Sequence, residues 1–77
     1  MMDRFELLLN DEAGALARVV TLVSGRRWKL QSLSFPPSEV PDRRRLVLDL
    51  DSGGRGDQVS AQLAKLYDVL SVTRFPG

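Results

Sequence analysis

LLLNDEAGALARV, Leu7–Val19, passes from three leucines through a short acidic loop to a glycine, then straight into apolar residues at helical spacing. Upstream, Phe5, Leu7 and Leu9 alternate with Glu6, Leu8 and Asn10, the two-residue period of a strand buried on one face. Downstream, Leu16, Val19, Val20 and Val23 share one side of a helix. Gly25 closes it, being able to take the left-handed conformation found at many helix ends. The stretch therefore predicts a strand over 3–10 and a helix over 15–25, with a tight loop between them.

Working outward, WKLQSLSF at 28–35 predicts a second strand, stopped by Pro36 and Pro37 because proline cannot donate to a ladder. PPSEVPD is a loop, and RRRLVLDLD at 43–51 sets Leu46, Leu48 and Leu50 on one face against Val47, Asp49 and Asp51 on the other. The Gly-rich DSGGRG is a turn into a helix that places Val59, Leu63, Leu66 and Tyr67 on a common face. VLSVTRF at 69–75 predicts a last strand, alternating Val69, Ser71, Thr73 and Phe75 with Leu70, Val72 and Arg74. With right-handed crossovers the order is βαββαβ, an α+β, ferredoxin-like fold: one antiparallel four-stranded sheet with both helices on one face. The reading is a single domain over 1–77, with its core over 3–75. The first and third strands are expected to be central, and the second lies at an edge whose unpaired backbone groups invite another chain.

Composition narrows the chemistry. A chain of 77 residues hides only about 60% of the surface it would expose unfolded, so it gains from a partner subunit. Without cysteine there is no disulfide framework or thiolate metal site, and without histidine the commonest general base and metal ligand are missing. A net charge of +1 gives no strong pull toward nucleic acid or an anionic membrane. No apolar run approaches the roughly 18 residues of a membrane span, and the start MMDRFELLL does not read as a leader, so a soluble cytoplasmic protein is expected.

Three readings compete for the loop. Asp11 and Glu12 are adjacent carboxylates, but no nucleophile or metal ligand accompanies them, which argues against acid and base catalysis. They could instead cap the helix and complement its dipole, which leaves the glycine unexplained. Gly14 permits close backbone approach, and the amides of Gly14, Ala15 and Leu16 at a helix start form an anion site suited to one carboxylate. Asp11 beside them could accept from an ammonium group, so an amino acid fits the pattern. Neither a GxGxxG nor a P-loop pattern is present.

Arg43, Arg44 and Arg45, with Arg26, Arg27 and Lys29, could be read as a nucleic-acid surface. RNA-binding domains of this fold stack bases on strand aromatics, whereas the third strand here offers Leu, Val and Asp. A solvated charged face, or contact with an acidic partner protein, is the preferred account. Trp28 reads as core or interface.

Three stretches resemble the ACT domain of the small regulatory subunit of acetolactate synthase, also called acetohydroxyacid synthase. DEAGALARVVTLVSGRRWKLQSLS is similar to the family's N-x-P-G-x-L-x-R-V-x-x-L-F-x-x-R-G-Y/F-N-I-E-S-L, with Gly14, Leu16, Arg18, Val19, Leu22, Arg26, Ser32 and Leu33 in register. PPSEVPDRRRLVLDLD follows the family's proline- and acid-containing loop into its third strand. QLAKLYDVLSVTRF resembles Q-L-x-K-L-x-D-V-L-x-V, matching Gln62, Leu63, Lys65, Leu66, Asp68, Val69, Leu70 and Val72. The resemblance implies a non-catalytic subunit without a cofactor of its own. Its partner would be the catalytic subunit, which carries thiamine diphosphate, magnesium and FAD. It also implies feedback inhibition by valine, leucine or isoleucine in many members, and a homodimer through the second-strand edge.

The effector site so implied comprises Asp11, Ala13, Gly14, Ala15 and Leu16, with Leu30, Gln31, Ser32, Leu33 and Ser34 contributed by the partner subunit. Three departures stand out. Asp11 replaces a common Asn, so a side chain able to donate becomes one that only accepts. Ala13 replaces the loop proline, and Arg27 and Lys29 replace Gly and Asn. Ending at Gly77, the chain resembles the short, single-domain members. Two alternatives stay open: a stand-alone ACT-type amino-acid sensor for another enzyme, and a small enzyme such as an acylphosphatase, for which Asn10 alone does not supply the required pattern.

Overall fold

The computed structural model describes residues 2–12, 14–26 and 28–76. Six elements follow one another: β1 (Met2–Asn10), α1 (Ala15–Gly25), β2 (Lys29–Ser34), β3 (Arg43–Asp51), α2 (Gly56–Ala64) and β4 (Val69–Pro76). The strands form one antiparallel sheet in the order β2-β3-β1-β4. This is the βαββαβ architecture, with β1 and β3 central and β2 at an edge.

Register explains the core. Phe5 lies opposite Leu48 and Leu7 opposite Leu46, so the apolar faces of β1 and β3 coincide. Phe5, Leu7, Leu9, Leu46, Leu48 and Leu50 are all buried, beneath Val19 and Val23 of α1 and Val59 and Leu63 of α2. Among the described residues both helices pack on this face, and none lies on the other. There Arg4 grips Asp49 through two hydrogen bonds of 2.9 and 3.2 Å, and the Ser32 hydroxyl donates to the same carboxylate at 2.7 Å. Those bonds, Arg4's first and Ser32's second, hold the Asp49 carboxyl below the ordinary carboxylate range.

Three local expectations need correction. Tyr67 does not share the buried face of α2: the helix stops at Ala64, and Tyr67 is 86% exposed in the turn beyond it. The Lys65 and Leu66 amides donate to carbonyls only three residues back, which tightens the chain and ends the helical period. Strict alternation also fails in β4. Leu9 pairs with Val69 but Leu8 with Ser71, so Leu70 is an extra residue that lets Val69 and Val72 both pack on the core. Finally, Gly25 ends α1 without a left-handed conformation; Arg26 is extended, and its amide donates to the Val23 carbonyl.

β2 has its own bulge at Gln31, because Leu30 pairs with Leu50 and Ser32 with Asp49. Leu33 thereby packs against the core and Ser32 bonds on the open face, while Leu30, Gln31 and Ser34 are exposed along the sheet edge. Trp28 precedes the strand and packs partly against the core.

Candidate functional site

The loop at the end of β1 is stitched down before it opens. The Asn10 amide donates to the Asp68 carbonyl at 2.9 Å, and the Asp11 amide to the Asp42 carbonyl at 3.2 Å. Gly14 then takes φ 94°, ψ −15°, a left-handed conformation in which a Cβ is disfavoured, and α1 begins. Among the described residues no side chain caps this helix and no acidic residue lies in its first turn, so the capping role considered for Asp11 and Glu12 does not hold. The Asp11 carboxylate instead accepts from Arg44 at 3.2 Å, and the Glu12 backbone carbonyl accepts from the Ala15 amide at 3.2 Å.

The loop lines an open depression of about 300 Å³ together with Asn10, Glu12 and Arg44. Of the residues expected at an effector site, Asp11, Gly14, Ala15 and Leu16 meet here. Ala13 lies outside the described residues, as does Arg27. The Ala15 amide is already bonded to the Glu12 carbonyl, so it is not open to an anion.

Arg44 is the residue sequence reasoning missed. Even-numbered residues of β3 face the helices, so Arg44 continues the line of Leu46, Leu48 and Leu50 to the sheet end and lies opposite Leu9. Parity along β3 was the signal that could have found it. Its guanidinium also lies 5.7 Å from the centre of the Phe35 ring, and a second depression of about 250 Å³ shares Asp11 and Arg44 with the first. Asp11 and Arg44 are about half exposed, a pair that opens at little cost. Opened, it offers an acceptor for an ammonium and a donor for a carboxylate. The remaining arginines of the run are engaged: Arg45 with Glu6 at 3.1 Å and Arg43 with the Asp42 carbonyl at 3.0 Å.

A depression of similar size, about 320 Å³, lies at the far end of the sheet beside Trp28, Lys29 and Gly53. Size does not separate the two. At the far end Asp51 accepts from the Gly53 amide at 2.9 Å and Ser52 accepts from the Arg55 amide at 3.2 Å, closing the turn on itself. Among the described residues no three His, Cys, Asp or Glu side chains gather as a metal would need, and no helix is long and apolar enough to cross a membrane.

The βαββαβ sheet with a glycine loop at the β1–α1 junction defines a domain of the ACT class. A family model described as the AHAS (acetohydroxyacid synthase) small subunit-like ACT domain matches residues 5–71, and the chain belongs to that family. It is 37% identical over 67 residues to the acetolactate synthase small subunit of Haemophilus influenzae, covering 86% of this chain and 41% of that protein. It is likewise 37% identical over 68 residues to the small subunit of acetolactate synthase isozyme 3 of Escherichia coli, covering 87% and 42%. The crystal structure of the small subunit from Thermotoga maritima superposes with a TM-score of 0.88 at 25% identity, over 96% of this chain and 47% of that one. The chain thus spans about two fifths of the length of the curated relatives it matches.

Proposed function

We propose that this domain acts as a regulatory subunit of acetolactate synthase, binding the catalytic subunit and raising its activity by protein contact. The observation that carries this reading is the match to the small-subunit ACT family over residues 5–71. In the same reading, two copies pair through the β2 edge. A branched-chain amino acid then sits between the Gly14 loop of one copy and Leu30 to Ser34 of the other. The open loop supports it: Gly14, Ala15 and Leu16 line the depression where α1 begins, and the Asp11–Arg44 pair at its mouth offers an acceptor for an ammonium and a donor for a carboxylate.

The test is to mix the protein with the acetolactate synthase catalytic subunit of its own organism. Copurification and a rise in acetolactate formation are expected. No association at micromolar concentration would overturn the regulatory role. Calorimetric titration with valine, leucine and isoleucine decides the effector separately. Activation without amino-acid binding leaves the loop structural, whereas amino-acid binding without association indicates a sensor for another enzyme.

A further inference from the structure

Behind the glycine loop lies an ion pair that the effector reading does not use. Arg18, one turn into α1, donates from Nη1 to Oδ2 of Asp68, in the turn before β4. The Asp68 side chain is only 2% exposed, that of Arg18 54%. Among the described residues the second carboxylate oxygen, Oδ1, has no hydrogen-bond partner. A buried carboxylate with one oxygen unsatisfied is costly, and a well-packed apolar pair in its place is often neutral or more stable. Stability alone is therefore a poor account of this pair.

Its contacts point elsewhere. The Arg18 guanidinium lies 3.8 Å from the place a Cβ on Gly14 would occupy, against the back of the left-handed residue. The Arg18 amide donates to the Gly14 carbonyl at 3.0 Å, and the Asp68 carbonyl accepts from Asn10 at 2.9 Å, at the loop's other end. One charge pair thus joins both ends of the loop through residues that touch neither depression of the site.

We infer that Arg18 and Asp68 are positioning residues that hold the Asn10–Gly14 loop in its binding geometry. The part of this inference that concerns ligand affinity rests on the effector reading above; the part that concerns loop geometry does not. Arg18→Met removes the donor while keeping a long side chain, and Asp68→Asn removes the charge at constant shape.

Amide hydrogen exchange on the full chain separates positioning from plain structure. In Arg18→Met the amides of Asn10 and Ala15, bonded at the two ends of the loop, should exchange about tenfold faster, as expected when a buried charge loses its partner locally, with those of Leu46 and Leu48 unchanged. Arg18→Lys, which keeps a donor, should restore part of the protection. Uniform acceleration across the sheet, or none at the loop, would overturn the inference. Asp68→Asn provides the same readout should Arg18→Met fail to fold. If the unaltered protein binds valine, leucine or isoleucine, the same variants should weaken that binding. If it binds none, the effector reading fails while the exchange result still decides the positioning role.

Discussion

The two strand-to-helix junctions of this domain look alike in sequence and differ in what they leave undone. Both are short, both contain left-handed glycine, and both open a helix that covers the sheet: Gly14 after β1, Gly53 and Gly54 after β3. The second is closed by its own side chains. Asp51 accepts from the Gly53 amide, the Ser52 hydroxyl donates to buried Asp3 at 2.8 Å, and Arg74 reaches Asp57 at 2.7 Å and Asp3 at 3.7 Å. Among the described residues neither helix start has a side-chain cap, and what marks the first is a half-exposed ion pair at its mouth. A glycine turn whose polar groups are consumed internally anchors the fold, whereas one that leaves them at the surface is free to bind.

The sharpest way to break this comparison is at the closed end. Asp3→Ala removes the buried carboxylate beneath Ser52 and Arg74, and should cost about 2–3 kcal/mol, discounted for the partial exposure of Arg74. Urea denaturation measures it, and a loss under about 0.5 kcal/mol, the scale of a surface pair, would mean that this end is not an anchor.

Gly14→Ala comes next. With φ at 94° the added Cβ meets only ordinary contacts around Arg18, so the cost is backbone strain, about 1–2 kcal/mol. A thermal melt with no shift would show that the loop relaxes freely into another conformation.

Asp11→Asn should change stability by less than about 0.5 kcal/mol, because its pair with Arg44 is exposed. It should at the same time weaken binding of a zwitterionic amino acid, read by calorimetry, because the acceptor for the ammonium loses its charge. A stability loss above about 1 kcal/mol would make the open end an anchor too.

The smallest effect is expected in acid. The Gly53 amide, bonded to the Asp51 carboxylate, is the chief cause holding that carboxyl below its usual range. A depressed carboxyl contributes its stabilisation above the unfolded value, about 3.9, and loses it as pH falls through the lower folded value. Protection of the Gly53 amide should therefore decline below about pH 4 and hold steady above it. Asp51→Asn should flatten that profile.

Much of the fold was legible because strand and helix periods are local. The buried faces of β1 and β3 could be read from alternating leucines, and that of α1 from Leu16, Val19 and Val23, although Val20 at the same spacing is exposed. What was not legible arose where a local period is interrupted by a partner. The bulge at Leu70 returns Val69 to the core only because Leu8 and Leu9 pair with Ser71 and Val69, and no alternation within β4 announces that. Tyr67 continued a helical pattern on paper, but the chain had already turned at Lys65.

The site divides the same way. Sequence alone determined the element order, the glycine at the helix start and the family, since each rests on residue type and spacing within one short segment. Tertiary structure alone decided what the loop can do. Asp11 meets Arg44 across 33 residues, and Arg18 meets Asp68 across 50. Those encounters depend on β1 lying between β3 and β4, which sets Arg44 at the mouth of the loop and Asp68 behind it. Side-chain pairing across a sheet is a property of strand order and register, and neither is written in the period of any one strand.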